Sequence, residues 1–442
     1  MPDVTRRGAI AALGAALTAG CLGAPGDGPT TTADPDRHPY DLALPHDRTA
    51  WDRYDPDWSP PAGPAADAVA VETVVEHLEI PWDLSFTGDG SVFISERTGR
   101  ILRFDGEDIE EVARPADVID AGSVPTSQEE VVWWVEGGEG GLLGIAAHPG
   151  YPDPPVVYAY YTYMDGGDRY NKLVYFDVSA DDVASNAVVL IDGIPGAKYH
   201  DGSRVSFGPA NYLWVTTGDG GNEQMAQDPG RLPGSILRLE PDGTAPADNP
   251  GLADPRVYSY GHRNPQGIAW LPDGTTLSNE HGPAGRRDEV NRIEPGANYG
   301  WPNARTADEY RGSPYHRPLL STGDTVWAPS GCCFYTGEDV PSWRNRLLIA
   351  ALASQEIRVV TVVPPDGTLP TGPDVTHHDG DWLDDAYRVA SQPAMTDVLG
   401  RVRHLEQAPD GSLYAITSNR DGRSGEGFPR SGDDRLVRLT AK

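Results

Sequence analysis

Short hydrophobic runs that follow tight polar turns recur along most of this chain. Typical examples are residues 271–277 (LPDGTTL) and 408–416 (APDGSLYAI). Proline fixes φ and glycine accepts a positive φ, so each phrase predicts a tight turn that leads into a strand. Six such phrases occur about 60 to 70 residues apart, and they begin at residues 87, 149, 208, 271, 343 and 408.

This spacing predicts the fold class. No segment has the pattern of an amphipathic helix of three turns, whereas several short strands fit into each repeat. The sequence therefore predicts an all-β fold, a six-bladed β-propeller of four-stranded antiparallel blades. The even period argues against the alternative, a pair of unrelated β-sandwiches. Residues 434–439 are expected to join the blade that begins near residues 69–79 and so close the ring.

The N-terminal residues have a different pattern. Arg6 and Arg7 precede an apolar run that is shorter than the roughly 20 residues of a membrane span, and Cys21 follows it. Residues 1–21 therefore resemble a twin-arginine export signal that ends in a lipoprotein-type cleavage site. The alternative is a buried Ala/Leu helix, which explains neither the arginine pair nor the cysteine.

The signal predicts the location and the domain boundaries. We expect an exported protein on the outer face of the cytoplasmic membrane, which it contacts only through a lipid on Cys21. Residues 22–67 are rich in Pro, Asp and Thr and are predicted to form a disordered tether, with local docking by its aromatic residues. The propeller domain is predicted to span residues 68–442.

Composition narrows the classes of partner. The chain has 35 Lys and Arg against 66 Asp and Glu, a formal net charge of −31, so nucleic-acid binding is close to excluded. An acidic surface that keeps a protein hydrated in high salt explains this composition better than an acidic functional face, and it indicates a halophilic source. Three cysteines are too few for a disulfide scaffold.

Four glycine-rich polar segments interrupt the repeats and are the candidate functional loops. They span residues 136–143, 199–204, 261–267 and 279–302, and Arg401 and Arg403 follow farther along the chain. Two residues apart in a strand, these arginines would project from the same face. Arginines suit a ligand with several carboxylates, and a histidine suits proton transfer. Carbonyl or carboxylate oxygens of the loops suit Ca²⁺.

Other metal and nucleophile chemistry has little support. A lone histidine such as His262 is more often a structural hydrogen bonder than a base. No HExxH motif is present and the pair His377 and His378 fits a solvated loop, which disfavours zinc. No GxSxG motif supports a serine hydrolase.

Taken in order, the candidate loops resemble those of the soluble glucose/sorbosone dehydrogenases, and among them the aldose sugar dehydrogenases. The strings GHRNPQG at 261–267 and NYGWP at 298–302 carry the resemblance, which spans about residues 75–440. It implies a six-bladed quinoprotein that uses pyrroloquinoline quinone (PQQ) and Ca²⁺. Such an enzyme oxidises an aldose to a lactone and passes the electrons to an acceptor, which the sequence does not identify.

The resemblance also implies roles for individual residues. His200 would take the hydroxyl proton at the anomeric carbon while hydride passes to PQQ, and Arg263 would stabilise the oxygen at the accepting carbon. The implied catalytic residues are His200, Arg263 and Glu139. The implied PQQ-binding residues are Glu139, His200, Arg263, Asn264, Thr325, Arg401 and Arg403. The implied Ca²⁺ ligands are the main-chain oxygens of Gly282 and Pro283 and, at a second site, Glu289 and the main chain of Tyr299.

Three residues depart from the family pattern. Glu139 stands where the family has glutamine, and it could be protonated or join the Ca²⁺ shell. Ala353 aligns with a cofactor-binding lysine, whose loss would weaken PQQ binding unless Arg358 compensates. Tyr199 replaces the acidic residue that precedes the histidine in glucose-oxidising members, which makes glucose a doubtful substrate.

Two other functions stay open. A cofactor-free surface propeller that binds a glycan or a protein is favoured by Glu139 and Ala353. A Ca²⁺-dependent lactonase is disfavoured because a neutral lactone has no use for three arginines. The adjacent Cys332 and Cys333 could form a vicinal disulfide, but two small residues packed in a strand is the preferred interpretation.

Overall fold

The computed structural model describes residues 39–65, 68–119, 138–283 and 286–442. The predicted export signal and Cys21 lie outside the described residues. In the described ranges the one α-helix is the short α1 (Ala307–Tyr310), and none of their helices has the length and apolarity needed to cross a membrane.

The described residues form 25 strands. In chain order these are β1 (Val69–Val75), β2 (Pro81–Phe86), β3 (Val92–Glu96), β4 (Ile101–Phe104), β5 (Ile109–Ala113), β6 (Leu142–Ala147), β7 (Val156–Asp165), β8 (Asp168–Asp177), β9 (Val188–Pro195), β10 (Val205–Phe207), β11 (Leu213–Thr216), β12 (Ser235–Leu239), β13 (Val257–Tyr260), β14 (Pro265–Trp270), β15 (Thr276–Glu280), β16 (Glu289–Arg292), β17 (Leu320–Ser321), β18 (Pro329–Tyr335), β19 (Arg346–Ala351), β20 (Glu356–Val363), β21 (Thr376–His378), β22 (Arg388–Ala394), β23 (Val402–Gln407), β24 (Leu413–Thr417) and β25 (Leu436–Ala441).

These strands make six antiparallel sheets, which confirms the predicted six-bladed propeller. Five blades have four strands, and the fifth blade along the chain gains an extra edge strand because β21 pairs with β22. Around the ring, β2 contacts β6, β6 contacts β10, β14 contacts β18, and β23 contacts both β18 and β2. The first strand of each blade therefore lines the central channel.

The last blade is closed by strands from both ends of the propeller. Strand β1 pairs antiparallel with β25, from Val69 opposite Ala441 to Val75 opposite Leu436. The predicted closure by residues 434–439 is thus confirmed. Hydrogen bonds between the two chain ends make this blade a single sheet, so the ring has no open seam.

Apolar seams between neighbouring blades form the core. Strand β19 is buried along its whole length because it packs on both sides. Leu348 and Ala350 pack toward the sixth blade, whereas Leu347 and Ile349 pack toward the fourth. Successive side chains of a strand point to opposite faces, so a strand between two blades reads as continuously hydrophobic.

Cys332 and Cys333 follow the same alternation in β18. Both are buried free thiols, and Cys332 packs toward the fourth blade while Cys333 packs toward the sixth. The preferred interpretation, two small residues packed in a strand, is confirmed.

Residues 39–65, which lie within the predicted tether, contact the propeller. Leu42 is buried in the core, Trp58 packs edge-on against Phe334 at 5.1 Å, and Ala65 exchanges two backbone hydrogen bonds with the Gln392 side chain. We call residues 39–65 the N-terminal strap. The boundaries at residues 21 and 67 stay predictions.

The strand topology separates two faces of the ring. The predicted Pro/Asp/Gly turns join the first and second strands of the blades, as at residues 271–275. Three candidate loops lie at the opposite end, before the first strand of a blade. The fourth segment, residues 279–302, begins where β15 ends, contains β16, and returns to the same side at Trp301, which contacts Asp219. They therefore converge on the other mouth of the channel.

Candidate active site

His200 forms a hydrogen-bonded chain with a carboxylate and an indole. Its Nδ1 lies 2.7 Å from Asp219 Oδ1, and the Trp301 indole donates to Asp219 Oδ2 at 2.9 Å. A carboxylate that accepts from Nδ1–H fixes the tautomer in which Nε2 carries the lone pair. The His200 side chain is only 12% exposed, so the imidazole is held in one orientation.

The backbone around this pair is tightly constrained. His200 adopts a positive φ of 63°, which is uncommon for a residue with a side chain. A Cβ on Gly218 would lie 1.9 Å from the His200 carbonyl oxygen, so only glycine permits the two loops to approach this closely. The Asp219 amide then donates to the Arg263 carbonyl at 2.9 Å, which joins the His200 loop to the next candidate loop.

Arg263 and Asn264 directly precede β14, the inner strand of the fourth blade. The Arg263 amide donates to Glu280 Oε2 at 2.7 Å, and its guanidinium carbon lies 5.3 Å from the centre of the Trp301 ring. Asn264 Oδ1 accepts from the Gly202 amide. The buried Nε of Arg263 and Nδ2 of Asn264 have no hydrogen-bond partner among the described residues.

Arg401 and Arg403 meet at one carboxylate. Arg401 donates to Asp421 Oδ2 at 2.7 and 3.0 Å, and Arg403 Nη2 lies 3.4 Å from the same oxygen. Arg403 also lies over the Trp82 ring at 4.4 Å, and its buried Nε finds no acceptor in the described ranges. Burial lowers the pKa of the Arg403 guanidinium, and the opposing effect of the Asp421 carboxylate is too small to cancel this shift.

Arg97 adds a further cation to this group. It donates to the carbonyl oxygens of Gly138 and Gly140, not to a carboxylate. Burial and the nearby Arg423 lower its pKa to about 10. Arg97, Arg401, Arg403 and Arg423 therefore face Asp421 and Glu139, an excess of positive charge in a buried site.

Glu139 lies between His200 and Arg423. Its Oε2 accepts from the His200 amide at 3.1 Å, and its Oε1 accepts from Arg423 Nη1 at 3.0 Å. Burial would raise the pKa of the carboxyl, but Arg423, His200 and His281 outweigh burial and lower it to about 2. The protonated form considered from the sequence is therefore disfavoured at neutral pH.

The implied Ca²⁺ loop is braced by Asp288. Its Oδ1 accepts from the Gly282 amide at 2.9 Å, and its Oδ2 accepts from the amides of Trp327 and Ala328. Pro283 follows in the same loop. In the described ranges no three His, Cys, Asp or Glu side chains cluster as metal ligands, so main-chain oxygens are the donors that this loop offers.

The remaining residues singled out in the sequence are Thr325, Ala353 and Arg358. Thr325 is exposed in the turn after β17, where its carbonyl accepts from the Thr322 hydroxyl. Ala353 lies next to Leu352, whose carbonyl oxygen accepts from Arg401. Arg358 pairs with Glu356 at 2.6 Å and packs on Trp327 at 4.8 Å, so it is already engaged elsewhere.

The second implied Ca²⁺ ligand set already has protein partners. Arg305 donates to Glu289 at 2.5 Å, and the Tyr310 hydroxyl donates to the Tyr299 carbonyl at 3.0 Å. Burial raises the pKa of Glu289 to about 8, even though Arg305 acts in the opposite direction.

Comparison with known proteins places this arrangement in a family. The model of the Glucose / Sorbosone dehydrogenase family matches residues 78–426. The chain belongs to this family. The match covers five blades in full, strands β23 and β24 of the sixth, and each candidate loop. This agrees with the resemblance carried by the two loop strings.

Two known proteins illustrate the similarity. Aldose sugar dehydrogenase YliI of Escherichia coli K12 is 28% identical over 396 residues, which cover 85% of this chain and 95% of the relative. The PQQ-bound structure of aldose sugar dehydrogenase from Streptomyces coelicolor is 30% identical, with a TM-score of 0.65. That match covers 86% of this chain and 99% of the other.

The unpartnered donors decide whether this glucose/sorbosone dehydrogenase family member suits an anionic cofactor. Arg263 Nε, Asn264 Nδ2, Arg403 Nε and His281 Nε2 are buried without an acceptor in the described part of the chain. Buried donors are normally satisfied, so these atoms indicate a ligand that supplies oxygens. PQQ carries carboxylate and quinone oxygens, and the residues present fit it.

Several residues of the site were missed in the sequence. Asp219 follows β11 in the string TTGDGGN, a glycine-rich polar break like the four that were selected. That signal could have identified it. Arg97, Asp421 and Arg423 lie in ordinary turns, and only the ring geometry brings them together.

Proposed function

We propose that this protein is a PQQ- and Ca²⁺-dependent aldose dehydrogenase that oxidises the anomeric carbon of a sugar to a lactone. The observation that carries the proposal is a histidine–aspartate pair beside a cluster of arginines with unpartnered donors. Membership in the glucose/sorbosone dehydrogenase family supports the reaction class. The PQQ-bound relative from Streptomyces coelicolor supports the cofactor.

His200 acts as the general base. With Nδ1–H held by Asp219, Nε2 accepts the proton of the sugar hydroxyl, and Asp219 stabilises the imidazolium that forms. Trp301 holds the other carboxylate oxygen, so Asp219 keeps its orientation. A base fixed in this way loses little conformational freedom when the proton moves.

The arginines bind and orient the cofactor. When bound, PQQ would supply a quinone that takes up hydride, and the main-chain oxygens of Gly282 and Pro283 would hold a Ca²⁺ that polarises it. Arg401 and Arg403 would pair with its carboxylates. Arg263 would donate to the oxygen that gains negative charge, which is worth most in a site shielded from water.

The experiment is a titration of the purified full chain with PQQ and Ca²⁺, followed by equilibrium dialysis and by reduction of a dye with a panel of aldoses. We expect saturable PQQ binding in the wild type and in His200→Gln, with sugar-dependent reduction lost in His200→Gln. His377→Gln is the matched control because His377 contacts the Pro370 carbonyl far from the site.

The other outcomes separate the rival functions. Absence of PQQ binding at micromolar concentration would replace this proposal with a cofactor-free binding propeller. Hydrolysis of lactones without PQQ would replace it with the Ca²⁺-dependent lactonase.

We also propose that the protein is exported and anchored by a lipid on Cys21. The arginine pair and the residues before Cys21 support this location. Cys21→Ser should release the protein from the membrane fraction, and a Cys21→Ser variant that stays with the membrane would disprove the anchor. The acidic composition supports a halophilic source, and activity that rises with molar KCl would test that proposal.

A further inference from the structure

Two buried carboxylates lie side by side in the fourth blade. Glu280 ends β15, Glu289 begins β16, and the two residues are directly opposite each other in the sheet. Each is only 1% exposed. Either carboxylate can ionise there only with a cation close by, because water does not solvate them.

The cation in this chain is an arginine. Arg305 Nη1 lies 2.5 Å from Glu289 Oε2, and Arg305 Nη2 lies 3.2 Å from Glu280 Oε2. The Arg305 side chain is itself 4% exposed, so one guanidinium bridges both carboxylates inside the protein.

The neighbouring carbonyl also has a donor. The Tyr310 hydroxyl donates to the Tyr299 carbonyl at 3.0 Å and lies 3.2 Å from Glu289 Oε1. Arg305 and Tyr310 come from one short segment, which is fixed by the bond from the Arg305 amide to the Glu309 carboxylate and by the Thr306 cap of α1. A single segment thus supplies partners to both ligands that the family resemblance assigns to a second Ca²⁺.

We propose that Arg305 is a built-in cation that takes the place of the second Ca²⁺. The residues present do not fit the metal, because a hard divalent cation needs six to eight oxygen ligands and here a guanidinium occupies the carboxylates. Any requirement for Ca²⁺ in this chain is then confined to the loop of Gly282 and Pro283.

The same arginine positions the active site. Glu280 Oε2, which Arg305 contacts, accepts from the Arg263 amide at 2.7 Å. The guanidinium carbon of Arg305 lies 5.2 Å from the Trp301 ring, and that of Arg263 lies 5.3 Å from it. Arg305 is therefore a positioning residue, whereas Arg263 is the arginine proposed to contact the cofactor.

The test measures metal binding without PQQ or sugar, so its result is separate from that of the dehydrogenase assay. Tb³⁺ stands in for Ca²⁺, and the adjacent Trp301 would sensitise its luminescence. We expect Arg305→Gln to bind one more Tb³⁺ per chain than the wild type, and Ca²⁺ should compete for this additional site. The double variant Arg305→Gln with Glu289→Gln should lack the additional site. Arg311→Gln, an exposed arginine on α1's C-terminal side, is the matched control.

The wild type supplies a second, independent readout. Equilibrium dialysis with Ca²⁺ should give the same number of ions per chain for the wild type and for Glu289→Gln. One ion fewer in Glu289→Gln would overturn the proposal, because metal would then bind beside Arg305. A folded Arg305→Gln without the additional site would also overturn it. If Arg305→Gln does not fold, the wild-type comparison decides the question.

Discussion

Arg423 Nη1 donates to Glu139 Oε1 at 3.0 Å, and the two residues are 284 positions apart in the chain. Glu139 stands where the family resemblance implies a glutamine, and it adds a negative charge beside a site proposed for an anionic cofactor. Arg423 supplies the compensating positive charge at that position. The pair therefore explains how the site tolerates a carboxylate without losing its excess of arginines.

The first prediction separates the two members of this pair. Arg423→Gln should weaken PQQ binding about tenfold or more, because it leaves the Glu139 charge uncompensated near the cofactor. Adding Glu139→Gln should restore most of the affinity. Equilibrium dialysis with PQQ measures both, and Arg430→Gln, which loses contacts to the carbonyls of Asp397 and Val398 and to the Phe428 ring, is the control. Equal affinities for Arg423→Gln and the wild type would contradict the compensation.

The second prediction concerns Asp219. Asp219→Asn should lower kcat by roughly 10²- to 10⁴-fold, since the amide no longer fixes the His200 tautomer or stabilises the imidazolium. PQQ affinity should stay within about twofold of the wild type, because the Asp219 side chain bonds to His200 and Trp301 and to none of Arg97, Arg401, Arg403 and Arg423. Asp228→Asn, in the exposed part of the same loop, should leave kcat unchanged. A full kcat in Asp219→Asn would remove Asp219 from the mechanism.

The fold could be predicted from local signals, and the site only in part. Turns of the Pro/Asp/Gly type and runs such as 434–439 are set by nearby residues, so blade number and ring closure followed from the sequence. The loop strings likewise located His200 and Arg263. Arg305 could not be assigned, because its contacts to Glu280 and Glu289 depend on how one loop folds back over two strands.

The N-terminal strap shows a different limit. Its composition, rich in Pro and Asp, is typical of a disordered tether. In the structure, main-chain carbonyls of the strap hold it to the propeller as well as its side chains do. Arg346 donates to the carbonyls of Pro61 and Gly63. A hydropathy pattern describes side chains, so it does not predict contacts made by main-chain carbonyls.

The third prediction follows from the lowered pKa of Glu139. An acid whose pKa falls from its ordinary 4.5 to about 2 on folding stabilises the native state above pH 4.5, and this contribution is lost as the pH falls toward 2. Glu139→Gln should therefore lose less stability than the wild type between pH 5 and pH 3. Urea midpoints across this range measure it. Parallel curves for the two proteins would show that the carboxylate is not held in its ionised form.

The fourth prediction concerns the adjacent cysteines. Burial raises the pKa of the Cys332 thiol to about 12, so it should resist alkylation at pH 8 in the native protein. In denaturant without reductant, Cys332 and Cys333 should both react with a thiol reagent, and dithiothreitol should leave the thermal midpoint unchanged. Mass spectrometry of alkylated peptides gives the count. Alkylation of neither residue in denaturant before reduction would indicate a vicinal disulfide.

The last prediction tests whether the strap belongs to the folded unit. A chain that begins at residue 68 lacks the buried Leu42, the Trp58 contact with Phe334 and the Ala65 bonds to Gln392. It also takes the Pro61 and Gly63 carbonyls from the buried Arg346, which keeps only its bond to the Ser342 carbonyl, and unpaired buried donors cost about 1–3 kcal/mol each. Its urea midpoint should therefore lie clearly below that of a chain that begins at residue 39. Arg346→Met should remove part of this difference, because the shortened chain then buries no unpaired guanidinium. Equal midpoints for the two chain lengths would mean that residues 39–65 rest on the propeller without stabilising it, as a tether would.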